Sequence, residues 1–202
     1  MSVLLIGTIA EAREWELKFG VATTAVVRHS WQEALPDLSQ AEVIFDYTHD
    51  VVSYPWDSLR GKVVFANCAF RSLGDMLAPV SEQERDAITF YGFCGLPSFV
   101  NRPCFEVSCF DAGTADKLKD ICQALQTDFV VVADQAGLIT ARVICMIINE
   151  AYYTLEEGTA SREDIDLAMK LGTNYPYGPF EWGELIGVKN VKRVVEIVLS
   201  GC

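Results

Sequence analysis

The hydrophobic pattern of this chain changes character once, near Asp134, and that change bounds what the chain can fold into. Before it, short apolar runs recur at residues 3–6, 23–27, 43–47, 62–66, 88–93, 105–110 and 129–132. Runs that are apolar throughout, instead of alternating, belong to strands covered on both faces, so a largely parallel sheet is expected. Residues 10–19, stopped by Gly20, and residues 111–125 have the spacing of amphipathic helices. From Gly137 onward every long segment has helical period. The chain is therefore read as an α/β unit over residues 1–133 followed by an all-helical unit over 134–202.

In the helical part, residues 138–155 are apolar nearly all round, through Val143, Ile144, Met146, Ile147 and Ile148. Such a helix must be enclosed by its own domain or by a second copy. Gly158 is placed as its closing glycine. Ser161, with Asp164 three residues on, reads as a capping box that opens the next helix, and Gly172 as its end. Gly172 and Gly178 are expected at positive φ, with Pro176 and Pro179 fixing a rigid turn anchored by Phe180 and Trp182. Residues 188–199 make a last helix.

Composition narrows the partners. A formal charge of −12 argues against nucleic acid and against an anionic membrane surface. The longest apolar stretch, residues 143–148, is far short of the roughly 20 residues a bilayer helix needs. With no basic leader followed by a cleavage site, a cytoplasmic location is expected. The seven cysteines show no C-x-x-C spacing and there are only two histidines, His29 and His49, so no metal site is expected. Reduced, mostly buried thiols are the simpler reading.

The most specific motif is Asp164-Ile165-Asp166-x-Ala168-Met169-x-x-Gly172, running on to Asn174-Tyr175-Pro176-Tyr177-Gly178-Pro179-Phe180-Glu181-Trp182. Upstream stand Asp134-x-x-Gly137-Leu138-Ile139 and then Arg142, Asn149, Glu150 and Ala151. In combination these resemble the 3-hydroxyacyl-CoA dehydrogenase family, closely over residues 134–187 and thinly before. The resemblance implies a Rossmann-like domain that binds NAD, then a helical domain that builds a dimer and closes over the substrate. A homodimer through residues after 134 and an acyl-CoA ligand are the partners it implies.

A dinucleotide turn needs G-x-G-x-x-G after the first strand. Gly7, Ile9 and Ala12 stand at those positions, so the Ile9 side chain takes the place where pyrophosphate approaches the backbone. The acid expected after the second strand is replaced by Arg28, His29 and Ser30. Arg28 would suit the 2′-phosphate of NADP. NAD or NADP binding is expected to be weak or absent.

Carried over from the resemblance, Glu106 takes the place of the family's catalytic glutamate, while Cys94 takes that of its histidine and Pro97 that of an asparagine. Ala141 replaces a second asparagine, and Ser72 is the available substitute for a substrate-contacting serine. A thiolate at Cys94 would be destabilised by Glu106. Asp50 reads as a solvated loop carboxylate. The segments between the second, third and fourth strands are shorter than in the family, which weakens the expected cofactor and CoA walls. Because four parts of the site differ, a weakly active or non-catalytic relative is favoured. It would bind an acyl-CoA or a similar ligand, or pair with a true dehydrogenase. The alternatives are an active NAD(P)-dependent 3-hydroxyacyl-CoA dehydrogenase with unusual residues, and a thiol-dependent enzyme.

Overall fold

The computed structural model describes residues 1–48 and 51–200, without the side chain of Val52. Seven strands form one sheet: β1 (Val3–Ile6), β2 (Ala25–Arg28), β3 (Val43–Asp46), β4 (Val63–Asn67), β5 (Thr89–Phe93), β6 (Cys104–Cys109) and β7 (Asp128–Val132). Their order is β2-β1-β3-β4-β5-β6-β7. The first five run parallel, β6 is antiparallel to β5, and β7 is parallel to β6. Every expected strand forms, its ends displaced by no more than two residues.

The helices are α1 (Ile9–Phe19), α2 (Trp31–Ala34), α3 (Trp56–Leu59), α4 (Leu73–Leu77), α5 (Glu82–Asp86) and α6 (Ala115–Ala124), then α7 (Thr140–Glu156), α8 (Arg162–Thr173), α9 (Pro179–Ile186) and α10 (Val188–Ser200). Alternation along the strands sorts the core into two layers. Leu5, Phe45 and Phe65 face α1 and α6 through Trp15, Phe19, Leu118 and Cys122. Leu4, Ile6, Ile44 and Val64 face the other way, onto a core that also contains Trp31, Leu59, Met76, Ile144, Ile148 and Val194. Helices α7 and α10 thus complete the second layer, and the sheet and the helical part share one core. Among the described residues no strand follows Val132, and no helix is long and apolar enough to cross a membrane.

The helical part departs from expectation in detail. Helix α7 starts at Thr140, not 138, because Gly137 (φ 78°) and Leu138 (φ 50°) are left-handed. Helix α8 runs through Gly172 and ends at Asn174, whose φ of 56° supplies the left-handed cap that Gly172 was expected to give. Asparagine tolerates that conformation because its short amide bonds locally. Gly178 is also not at positive φ: at −72° it is the N-cap of α9. A Cβ there would overlap the side chain of Asp166. The expected rigid turn is itself helical, with Pro179 at the first position, where its missing N–H costs nothing.

Asp166 explains this arrangement. It is 9% exposed, and its carboxylate accepts from Phe180 N at 2.8 Å and Glu181 N at 3.3 Å. A residue of α8 therefore caps α9, and the missing side chain at Gly178 lets it approach. We expect Asp166→Ala to destabilise the fold by about 1–3 kcal/mol, the cost of stranding buried N–H groups. Asp166→Asn, which keeps one acceptor, should lose less in the same denaturant titration.

Candidate functional site

In an open parallel sheet ligands bind beyond the C-terminal strand ends, where the connections diverge to opposite sides. Here the divergence is at β1, flanked by β2 and β3. The residues leaving the parallel strands are Gly7, His29, Tyr47, Cys68 and Cys94.

At the dinucleotide turn, Gly7 N donates to Arg28 O at 2.9 Å and Thr8 caps α1. The cap is reciprocal. Glu11 Oε2 accepts from Thr8 N at 2.7 Å and from Thr8 Oγ1 at 2.9 Å, while Glu11 N donates to Thr8 Oγ1 at 3.3 Å. Ile9, the first helical residue, is 75% exposed, and Ala12 packs half-buried against the core. Arg28 is spent inside the chain: its Nε lies 2.8 Å from Asp37 Oδ2, and its Nη1 donates to Val27 O at 2.8 Å. His29 Nδ1 meets Gly7 O at 3.0 Å, and as a carbonyl can only accept, that nitrogen carries the proton. Asp46, at the end of β3, is fully buried. It accepts from Thr48 N and Oγ1 and, at 2.6 Å, from Tyr54 OH, and burial raises its pKa. The residues present therefore do not fit a dinucleotide. A carboxylate of α1 already accepts from its N-cap amide, Ile9 stands where pyrophosphate approaches, and the available cation and acid are engaged elsewhere.

The slot for a catalytic base lies between β5 and β6. Gly92 pairs with Ser108, so extending the antiparallel register two residues brings Cys94 opposite Glu106. Cys94 is 6% exposed, and its thiol is pushed up to about 12. Burial is the main cause; the Leu96 N–H draws it back, and nearby Glu106 adds like-charge repulsion. Repulsion from Glu106 was expected, but desolvation outweighs it. Glu106 itself caps α7, accepting from Ile139 N and Thr140 N at 3.1 Å each and from the Thr140 hydroxyl. Ala141 is fully buried beside it in the sequence of α7. Ser72 caps α4: its Oγ accepts from Asp75 N at 3.0 Å and donates to the Asp75 carboxylate at 2.7 Å. The following N–H groups, of Leu73 and Gly74, go to Asp134 at 2.8 Å each. His49 and Asp50 lie outside the described residues.

Sequence reasoning missed Tyr47, directly after β3, and the acids Glu11 and Glu14 of α1. Tyr47 is 4% exposed, its ring edge-on to Phe93 at 5.0 Å. A Cβ on Gly7 would come within 3.2 Å of the Tyr47 side chain, and one on Gly95 within 2.7 Å of its ring. Tyr47 thus fills the space between the dinucleotide turn and the Cys94 slot. Glu14, one turn beyond Glu11, accepts from Ser98 N at 3.0 Å, Val100 N at 2.9 Å and Asn101 N at 3.2 Å. The available signal was an aromatic residue directly after a strand and two acids at i, i+3 on the first helix.

Residues 137–201 match the family model described as the 3-hydroxyacyl-CoA dehydrogenase C-terminal domain. The 3-hydroxyadipyl-CoA dehydrogenase of Escherichia coli is 49% identical over 65 residues, which are 32% of this chain and 14% of that protein. Human mitochondrial hydroxyacyl-coenzyme A dehydrogenase is 41% identical over 83 residues, 41% of this chain and 26% of its own length. The matched stretch thus spans about a quarter or less of these relatives. Among solved structures, FadB2 of M. tuberculosis superposes with a TM-score of 0.75 at 16% identity, covering 99% of this chain and 87% of that one. The (S)-3-hydroxybutyryl-CoA dehydrogenase PaaH1 from Ralstonia eutropha gives 0.69 at 19% identity, covering 98% and 87%. At such identities the structural likeness establishes the fold: a Rossmann-like sheet followed by a helical domain. Residues 137–201 thus form a 3-hydroxyacyl-CoA dehydrogenase C-terminal domain, and the chain as a whole shares the fold of those structures.

Proposed function

We propose that this protein is a 3-hydroxyacyl-CoA dehydrogenase relative in which the redox reaction is lost or very slow, and that it acts through dimerisation and binding of an acyl-CoA or similar ligand. The state of Cys94 carries this reading. Oxidising a hydroxyl with a nicotinamide needs a base for the hydroxyl proton as hydride leaves. A buried thiol with a pKa of about 12 stays protonated near neutrality, and the carboxylate facing it is committed to the start of α7. An active NAD(P)-dependent dehydrogenase remains the second reading, favoured by the retained fold and C-terminal domain. The burial of Cys94 and the rise of its pKa weigh against the thiol-dependent alternative as well.

The test is steady-state reduction of acetoacetyl-CoA by NADH. Loss of general acid–base catalysis alone typically costs about 10²–10⁴-fold, so we expect turnover below about 0.1 per second. A rate near the typical value of about 10 per second would overturn the proposal.

The proposed dimer is supported by what α7 and α8 leave uncovered. Helix α7 buries one stripe, Ala141, Ile144, Cys145, Ile148 and Ala151, within the chain. Val143 stays 49% exposed, and Leu167 and Leu171 of α8 are 53% and 78% exposed. Between the two helices lies an apolar groove of about 410 Å³ whose walls include Ile147, Ile165 and Met169. An apolar groove with exposed apolar residues on the same two helices supports an interface, and a twofold contact would bury the same patch on both copies. Light scattering should give twice the chain mass of 22.4 kDa, and Ile147→Asp should return it to the monomer value. A wild-type monomer at micromolar concentration would rule the dimer out.

The thiols give an independent check on the closed slot. Among the cysteines of the described residues, iodoacetamide at pH 8 should label exposed Cys104 first and half-buried Cys109 slowly. Cys68, Cys94, Cys122 and Cys145 should react only after denaturation. Peptide mass spectrometry reads the outcome. Rapid labelling of native Cys94 would show that the slot opens.

A further inference from the structure

The N-terminus of the first helix in a dinucleotide-binding sheet receives pyrophosphate through free N–H groups and the positive end of the helix dipole. In this chain the N-cap amide of α1 already has an anion, and the N–H of its third residue has a side-chain partner. The Glu11 carboxylate sits on Thr8 N, and Glu11 N is turned onto the Thr8 hydroxyl. A second set of N–H groups, from Ser98, Val100 and Asn101, converges beside the cleft and is filled by Glu14. Both acids come from α1, three residues apart and so on one face of the helix. Between them and the base slot stands Tyr47, packed on Gly7 at one side and on Gly95 at the other. Its hydroxyl is buried with no hydrogen-bond partner among the described residues. Tyr47 also lies near enough to Glu14 and Glu11 for their charges to add to the effect of burial in raising its pKa.

A buried hydroxyl left without a partner is costly, and Tyr47 carries one while it packs with Phe45, Phe65 and Phe93 in the core. We infer that the chain supplies the occupant of its own dinucleotide groove, with Glu11 and Glu14 in place of phosphate charge and Tyr47 in place of a ring, so that NAD and NADP are excluded from within. Loss of the catalytic base alone would leave a cofactor-binding protein; this arrangement removes the cofactor as well. The inference rests on the functional proposal only in taking these strand ends as the dinucleotide groove.

NADH is the probe, titrated by fluorescence and by calorimetry against the full chain. The wild type should bind with a Kd above about 1 mM, and Glu11→Ala combined with Tyr47→Ala should tighten it by about tenfold or more. Glu11→Gln and Tyr47→Leu, each closer to the native shape, are measured singly in case the double variant does not fold. At least one of them should tighten binding by about threefold or more. Micromolar binding by the wild type would overturn the inference. So would folded variants that bind no more tightly than the wild type. A wild type that neither binds nor turns over, with variants that do not improve, refutes the self-occupied groove while leaving the loss of activity standing.

Discussion

The acceptance of the first N–H groups of α7 by Glu106 is the interaction on which the relation of sheet and helices depends. Those donors have no partner within the helix, and a carboxylate at the positive end of the helix satisfies them with charge-assisted bonds. Each such bond is worth on the order of 1.5–3 kcal/mol. By setting where α7 begins, Glu106 sets where its buried stripe of Ala141, Ile144 and Ile148 meets the sheet core. The Cys94 slot then closes as a consequence. A carboxylate that steered a catalytic base would need a lone pair turned toward that base, and here the oxygens are drawn to the helix.

The same device recurs through the molecule. Glu11 closes the turn after β1, Glu14 the loop after β5, Asp134 the start of α4 and Asp166 the start of α9. Each is an acid from one element that satisfies the backbone N–H groups at the start of a helix or in a loop. In a chain of net charge −12 these acids are structural parts, not surface charge. That explains why the departures from the family pattern cohere. On the proposed reading, the turn that would hold pyrophosphate has its N-cap satisfied from within α1, and the slot that would hold a base is packed.

Much of this architecture was legible in the sequence. The strands announced themselves because a strand covered on both faces must be apolar at every position, as at residues 3–6 and 63–66. The reversal of β6 was not legible, since apolar periodicity carries no direction. Helix α9 was read as a turn although Pro179 at its first position and Glu181, which accepts from Gly178 N, are local start signals; only the Asp166 cap, on another helix, lay beyond rules for adjacent residues. Gly178 was misread for a related reason: its lack of a side chain serves close approach and not a positive φ. At the site, the replacements at Cys94, Ala141 and Ile9 were plain from the motifs. What filled the space was not, because Glu11 and Glu14 look like solvated helix acids and Tyr47 like ordinary core until the strand ends are assembled around them.

The central claim, a proposal, is that the cleft between the sheet and α7 holds no working base and admits no nicotinamide cofactor. Hydrogen–deuterium exchange of the backbone over Cys94–Leu96 and Ile139–Ala141 addresses it directly. These amides should exchange slowly in the free protein, at rates unchanged by millimolar NADH. Rapid exchange in the free protein, or clear protection on adding NADH, would contradict the account, because either result requires a slot that opens or a groove that admits the cofactor.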